Sequence, residues 1–214
     1  FSGTVTKGTL VFAPKRDLPD LQRFSRRTSE YRWVDAKEIA EIEPQLAGVH
    51  SQALFFPKEG HLDPRKALAR LVARLRDEHG VTVARGVEAG PADWIIDCRG
   101  LDARDSLADL RPVKGEMLVL RSPDLTFSRP LRMLHPRMPV YIVPRGEGVY
   151  MIGATMIENA EQGRFTVRSA LELLSAVYTL HPGFGEAEII ETGSGLRPAF
   201  PDNSPRLRVR GKTL

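Results

Sequence analysis

The sequence holds one cysteine, Cys98, in 214 residues. An internal disulfide is excluded, and a lone thiol fits a reducing setting, so a cytoplasmic location is expected. Apolar runs are short, and none approaches the roughly 18 residues that cross a bilayer, so no membrane association is expected. No charged-then-apolar leader opens the chain, and its first residue is Phe1, so the N-terminus reads as a trimmed end. The histidines (50, 61, 79, 135 and 181) never stand four apart and none neighbours Cys98. Metal-site spacing is therefore missing. Neither the G-x-S-x-G nucleophile elbow nor the G-x-x-x-x-G-K-[ST] phosphate loop occurs. "GEGVYM" (146–151) and "GSGLRP" (193–198) begin like a dinucleotide fingerprint but lack its third glycine. The chain is basic, with a net charge of +4 and a pI near 9.4. Its arginines are spread along the sequence without a recognisable nucleic-acid module, so no nucleic-acid partner is expected.

What is present reads as a soluble globular chain, 42% hydrophobic and 27% charged. "GTLVFAP" (8–14) suits a strand stopped by Pro14, and "DLPDLQRFSRR" (17–27) a helix. Asp35 with Glu38 three residues later makes a capping-box pattern, predicting a helix that bends or ends near Pro44. "ALFFP" (53–57) is a further strand candidate. The strongest helix signal is 63–80, with Asp63 as N-cap, Pro64 in the first turn, Gly80 as the stop, and Leu68, Leu71, Val72 and Leu75 as a buried stripe. "VTVARGV" (81–87) and "DWIIDCRG" (93–100) read as strands, the second apolar enough to be covered on both faces. After residue 114 strands dominate, interrupted by a helix over 166–182, and "RLRVRGKTL" suggests a hairpin arm. The pattern is α+β, with a βα-like stretch between about 56 and 100.

Little side-chain chemistry stands out. Cys98 fits a small core residue better than a nucleophile. "YIVPRGEGVYMIGATM" (141–156) reads as a hairpin; a two-residue turn at 147–148 would place Tyr141 opposite Ala154, with Met156 a diagonal neighbour on the same face. Taken singly, Tyr141 and Met156 also suit ordinary packing. Arg197, in an apolar extended stretch beside Pro198, needs an anionic partner if it is buried.

Several stretches, in order along nearly the whole chain, resemble the FAD-dependent glycine oxidase of thiamine biosynthesis, within the D-amino-acid-oxidase-like flavoproteins. They include "EGHLDPRKALARL", "ADWIIDCRGLDAR", "LRPVKGEMLVL", "YIVPR", "GVYMIGATMIE" and "ETGSGLRPAFPDNSPR". The resemblance implies an antiparallel-sheet substrate domain with helices over 1–55 and 113–192, and part of an α/β, Rossmann-like FAD-binding domain over 56–112 and 193–214. It implies FAD as cofactor and a small amino acid or amine with oxygen as reactants. Oxidative deamination would give an imine, hence glyoxylate and ammonia, plus hydrogen peroxide. Arg197 and Tyr141 would hold the substrate carboxylate, and Met156 would line the pocket. Cys98, Arg99 and Gly100 would pass close to the flavin, with Val87 on its adenine side. The family's glycine-rich N-terminal unit and its C-terminal flavin-closing segment are missing, so an internal piece of an oxidase is expected. Sarcosine or D-amino-acid specificity, a cofactor-free binding module of the same fold, and a homo-oligomeric state all stay open.

Overall fold

The computed structural model describes residues 3–87, 90–135, 139–161 and 163–214. In chain order its elements are β1 (Thr9–Phe12), α1 (Leu18–Ser25), β2 (Arg32–Asp35), α2 (Ala36–Ile42), β3 (Gln52–Phe56) and α3 (Pro64–Asp77). These are followed by β4 (Arg111–Arg121), β5 (Leu131–Met133), β6 (Val140–Gly146), β7 (Val149–Gly153), α4 (Val167–Leu180) and β8 (Glu188–Ala199). The chain forms two compact units: residues 1–63, 115–156 and 163–195 make the first, and residues 64–114, 157–162 and 196–214 the second.

The first unit is built on a mixed sheet in the order β2-β3-β1-β5-β6-β7-β4-β8. β1 and β5 run parallel, whereas β1–β3, β2–β3, β5–β6, β6–β7 and β4–β7 are antiparallel. Side chains alternate across the sheet. Leu10, Phe12, Leu118, Leu120, Leu131, Ile142 and Ile152 point to one face and are buried. α4 covers that face with Leu173, Val177 and Leu180, which recur at helical spacing. On the opposite face α1 covers one end, packing Leu21 against Val11, Leu54 and Phe56. The rest of that face, around Met117, Val119, Tyr141, Val143 and Met151, is only partly buried.

Polar locks hold the covering elements in place. Asp35 caps α2 as its pattern predicts, accepting from Glu38 N at 2.9 Å while Glu38 accepts from Asp35 N at 3.0 Å. The fully buried Glu116 on β4 accepts from Thr166 N and Oγ1 at 2.9 and 3.0 Å. Thr166 Oγ1 in turn caps α4 through Ser169 N. Glu43, also buried, accepts from Ser128 N and from Arg129 Nε.

The second unit has a small core of Ala103, Leu110 and Phe200. The guanidiniums of Arg206 and Arg208 lie 5.0 and 5.1 Å from the Phe200 ring centre and both pair with Asp109. Three expectations fail here. α3 forms, but its apolar stripe is not buried: Leu68 is exposed, and Leu71, Val72 and Leu75 are half-buried. Residues 81–87 and 93–100 form no strands. The second segment makes one parallel bridge, Ile95 with Thr213, and Trp94 and Ile96 stay exposed. A strand exists by virtue of its partner, and one bridge does not make a ladder. The terminal hairpin arm reduces to a tight turn closed by Arg210 and Thr213.

Candidate active site

The β6–β7 hairpin turns at Glu147 and Gly148, with Gly146 opposite Val149 as the two-residue turn predicts. Positive φ angles at Gly146, Glu147 and Gly148 (91°, 52° and 69°) accommodate that turn. A bulge between Pro144 and Gly146 then shifts the register by one residue. Tyr141 consequently faces Gly153, and the expected pairing with Ala154 is wrong. β7 ends at Gly153, so Met156 lies beyond the hairpin ladder. Its neighbour Thr155 is pinned to β4, Thr155 N donating to Glu116 O at 3.1 Å and Glu116 N to Thr155 Oγ1 at 2.9 Å. Met156 itself is 68% exposed.

Tyr141 stands on the half-open face of the sheet, 36% exposed, and no described residue engages its hydroxyl. The hairpin's other tyrosine is its opposite: Tyr150 is buried, donates to Leu125 O, and accepts from Phe127 N at 3.1 Å. Burial pushes the Tyr150 phenol above its ordinary range. One tyrosine is fixed by the core and the other is presented to whatever occupies the face. Arg197 lies near the end of β8, in the second unit, and is exposed. The burial argument for an anionic partner therefore does not apply to it.

The residues expected near the flavin all fall in the second unit. Cys98 is exposed, as is Val87, so the small-core reading of Cys98 fails. Cys98 borders a cavity of about 150 Å³ together with Ile96, Leu107 and Phe200. Arg99 is engaged by its own unit, donating to Asp97 at 2.8 Å and to Asp105 at 3.0 Å. Those bonds hold the Arg99 guanidinium charged well above its usual range and keep the Asp97 carboxyl below the carboxylate norm. Gly100 takes a φ of 65° where the chain turns into a 3-10 helix, Gly100–Asp105.

Would these residues suit a flavin? The half-open sheet face, lined by Met117, Val119, Val143 and Met151, fits a flat apolar ring system. The pyrophosphate is another matter. α1, α2 and α3 each follow an aspartate, and α4 is capped by Thr166, so among the described residues no glycine-cradled helix N-terminus receives an anion. Sequence reading missed two residues that shape the face, Gly153 beneath Tyr141 and Glu116 behind Thr155. A glycine inside a strand pattern was the available signal for the first.

Comparisons with known proteins agree with this architecture. A Rhizobium etli protein provisionally assigned as the thiamine biosynthesis oxidoreductase ThiO is 50% identical over 213 residues, covering 97% of this chain and 64% of the relative. The glycine oxidase of Geobacillus kaustophilus is 25% identical over 96% of the chain and 61% of its own length. Its crystal structure superposes with a TM-score of 0.78 at 24% identity, over 98% of this chain and 64% of that one, a likeness of fold. The chain thus spans somewhat under two thirds of the length of these relatives. A family model described as FAD dependent oxidoreductase matches residues 2–212. By that match over almost its whole length, the chain belongs to the FAD-dependent oxidoreductase (DAO) family of flavoproteins.

Proposed function

We propose that this chain is the substrate-binding part, with a portion of the flavin-binding part, of an amine oxidase that converts glycine or a similarly small amine. The balance is glycine, oxygen and water to glyoxylate, ammonia and hydrogen peroxide, with the imine as first product, and the imine serves thiamine thiazole synthesis. The observation that carries the reading is the 50% identity to the R. etli protein along 97% of the chain. The Tyr141 hydroxyl on the half-open sheet face, which no described residue engages, supports it. FAD, held in part by the turn at Cys98, Arg99 and Gly100, would supply the two-electron oxidation of the α-carbon, with oxygen as the final acceptor.

The chain's own part is to bind and orient. The resemblance gives Arg197 a two-pronged carboxylate-binding role and gives Tyr141 the role of a carboxylate hydrogen-bond donor. Met156 lines the space beside the α-carbon. Cys98, Arg99 and Gly100 would hold the flavin at their turn, and Val87 would serve its adenine side. No side chain is needed as a base, provided the amine arrives neutral.

The test uses the full-length holoenzyme. Glycine, sarcosine and D-alanine are supplied in turn, and peroxide and glyoxylate are measured. Glycine turnover is expected, and Arg197→Ala is expected to cost about 2–5 kcal/mol in kcat/KM. Absence of peroxide with every small amine would overturn the proposal, as would unchanged glycine kinetics in the variant.

A further inference from the structure

Gly153 is a strand residue directly across the ladder from Tyr141. A β-carbon built on it would stand 2.5 Å from both Cζ and Oη of Tyr141 and 2.7 Å from Cε2. Real carbon–carbon and carbon–oxygen contacts begin roughly an ångström further out. The phenol therefore lies flat across the bare Cα of the neighbouring strand, with its polar end over the glycine. The same arrangement recurs on β8, where a β-carbon on Gly193 would stand 3.0 Å from Met117 Cγ. Aromatic rings laid over sheet glycines do stabilise strands. Here, however, the ring carries a hydroxyl that no described residue engages, and it stands at the edge of the half-open face.

We infer that Gly153 is a positioning residue for substrate binding: by having no side chain it sets the height and direction of the Tyr141 hydroxyl toward a ligand carboxylate. The inference rests on the carboxylate-binding role proposed for Tyr141. Any side chain at 153 lifts the phenol off the sheet by about 1 Å or more, and a hydrogen bond tuned to about 2.7 Å does not survive that shift.

The experiment measures acetate, a carboxylate without the amine, binding to full-length holoenzyme through its perturbation of flavin absorbance. KM and kcat for glycine and thermal midpoints are recorded alongside. Tyr141→Phe keeps the ring over the glycine and removes the hydroxyl, so acetate binding is expected to weaken roughly 10- to 100-fold with the melting point unchanged. Gly153→Ala is expected to weaken acetate and raise KM by a similar factor, with kcat less affected. The double variant Tyr141→Phe/Gly153→Ala should be no weaker than the worse single one, because both act through one hydroxyl. If Tyr141→Phe leaves acetate affinity intact, the role proposed for Tyr141 fails. If Tyr141→Phe weakens binding while Gly153→Ala does not, or if the two losses add in full, the role of Gly153 fails alone. Should Gly153→Ala not fold, Tyr141→Ala removes the clash. Gly153→Ala/Tyr141→Ala then folds and binds acetate as Tyr141→Ala does, and failure of that pair to fold would also overturn the inference.

Discussion

Tyr150 shows what a hairpin tyrosine looks like when its hydroxyl belongs to the fold. It bonds Leu125 O and Phe127 N, and its ring packs edge-on against Phe127 and Phe184. Tyr150→Phe keeps the packing and strands a buried carbonyl and a buried N–H, so a loss of about 1–3 kcal/mol in urea unfolding is expected. A loss below 0.5 kcal/mol would mean water replaces the hydroxyl. At this scale the sequence was legible as far as residue identity allows. Tyr141, Met156 and Arg197 are proposed as site residues through resemblance alone, and no pattern gave the bulge at 144–146. One extra residue in a strand changes every partner beyond it, and with it the identity of the residue beneath the phenol. Cys98 misled for a related reason: an apolar approach, "WIID", suggests burial only if something covers it.

α4 illustrates how an element is placed by its first residue. Thr166 caps the helix through Ser169 N and ties it to the sheet through Glu116. Thr166→Ala removes both and is expected to destabilise by about 1–2 kcal/mol, whereas Thr166→Ser should recover most of it. Equal urea midpoints for the two variants would refute the capping role. Strong local signals made such elements readable from sequence: the Asp35–Glu38 box, Pro182 closing α4, and the Glu147–Gly148 turn. β2 and β5 escaped because charged residues interrupt their short runs and they owe their extended form to pairing with neighbours. The expected strand at 93–100 failed for the converse reason, having the composition and too little of a partner.

For the molecule as a whole, three histidines link stability to pH: His61, which burial also holds low, and the pair His50 and His181. His50 Nε2 donates to Leu180 O at 2.8 Å, and His181 Nε2 donates to Gln45 O at 3.0 Å while its Nδ1 accepts from Gly183 N. Burial holds both below the ordinary value of 6.5, aided at His50 by the nearby His181. The folded chain therefore takes up these protons less readily than the unfolded one. Stability is complete above about pH 6.5 and declines as pH falls below it, until the lowered folded-state values are reached. Thermal midpoints at pH 7.5 and 5.5 should differ in that direction, and His50→Gln/His181→Gln should flatten the slope. A wild-type midpoint that rises on acidification would refute the assignment.

The sheet order has a consequence for how the protein is made. All four residues of β1 are buried, yet its parallel neighbour β5 begins at Leu131. At translation rates of about 5–20 residues per second, β1 waits roughly 6–24 s for that partner to be synthesised. β3 covers one edge of β1 early, leaving the other as an unpaired apolar template on a growing chain. The chain also passes between its two units five times, at 63/64, 114/115, 156/157, 162/163 and 195/196. Neither unit can be completed in order of synthesis, and the nascent chain must keep an early strand soluble until most of the sheet has emerged.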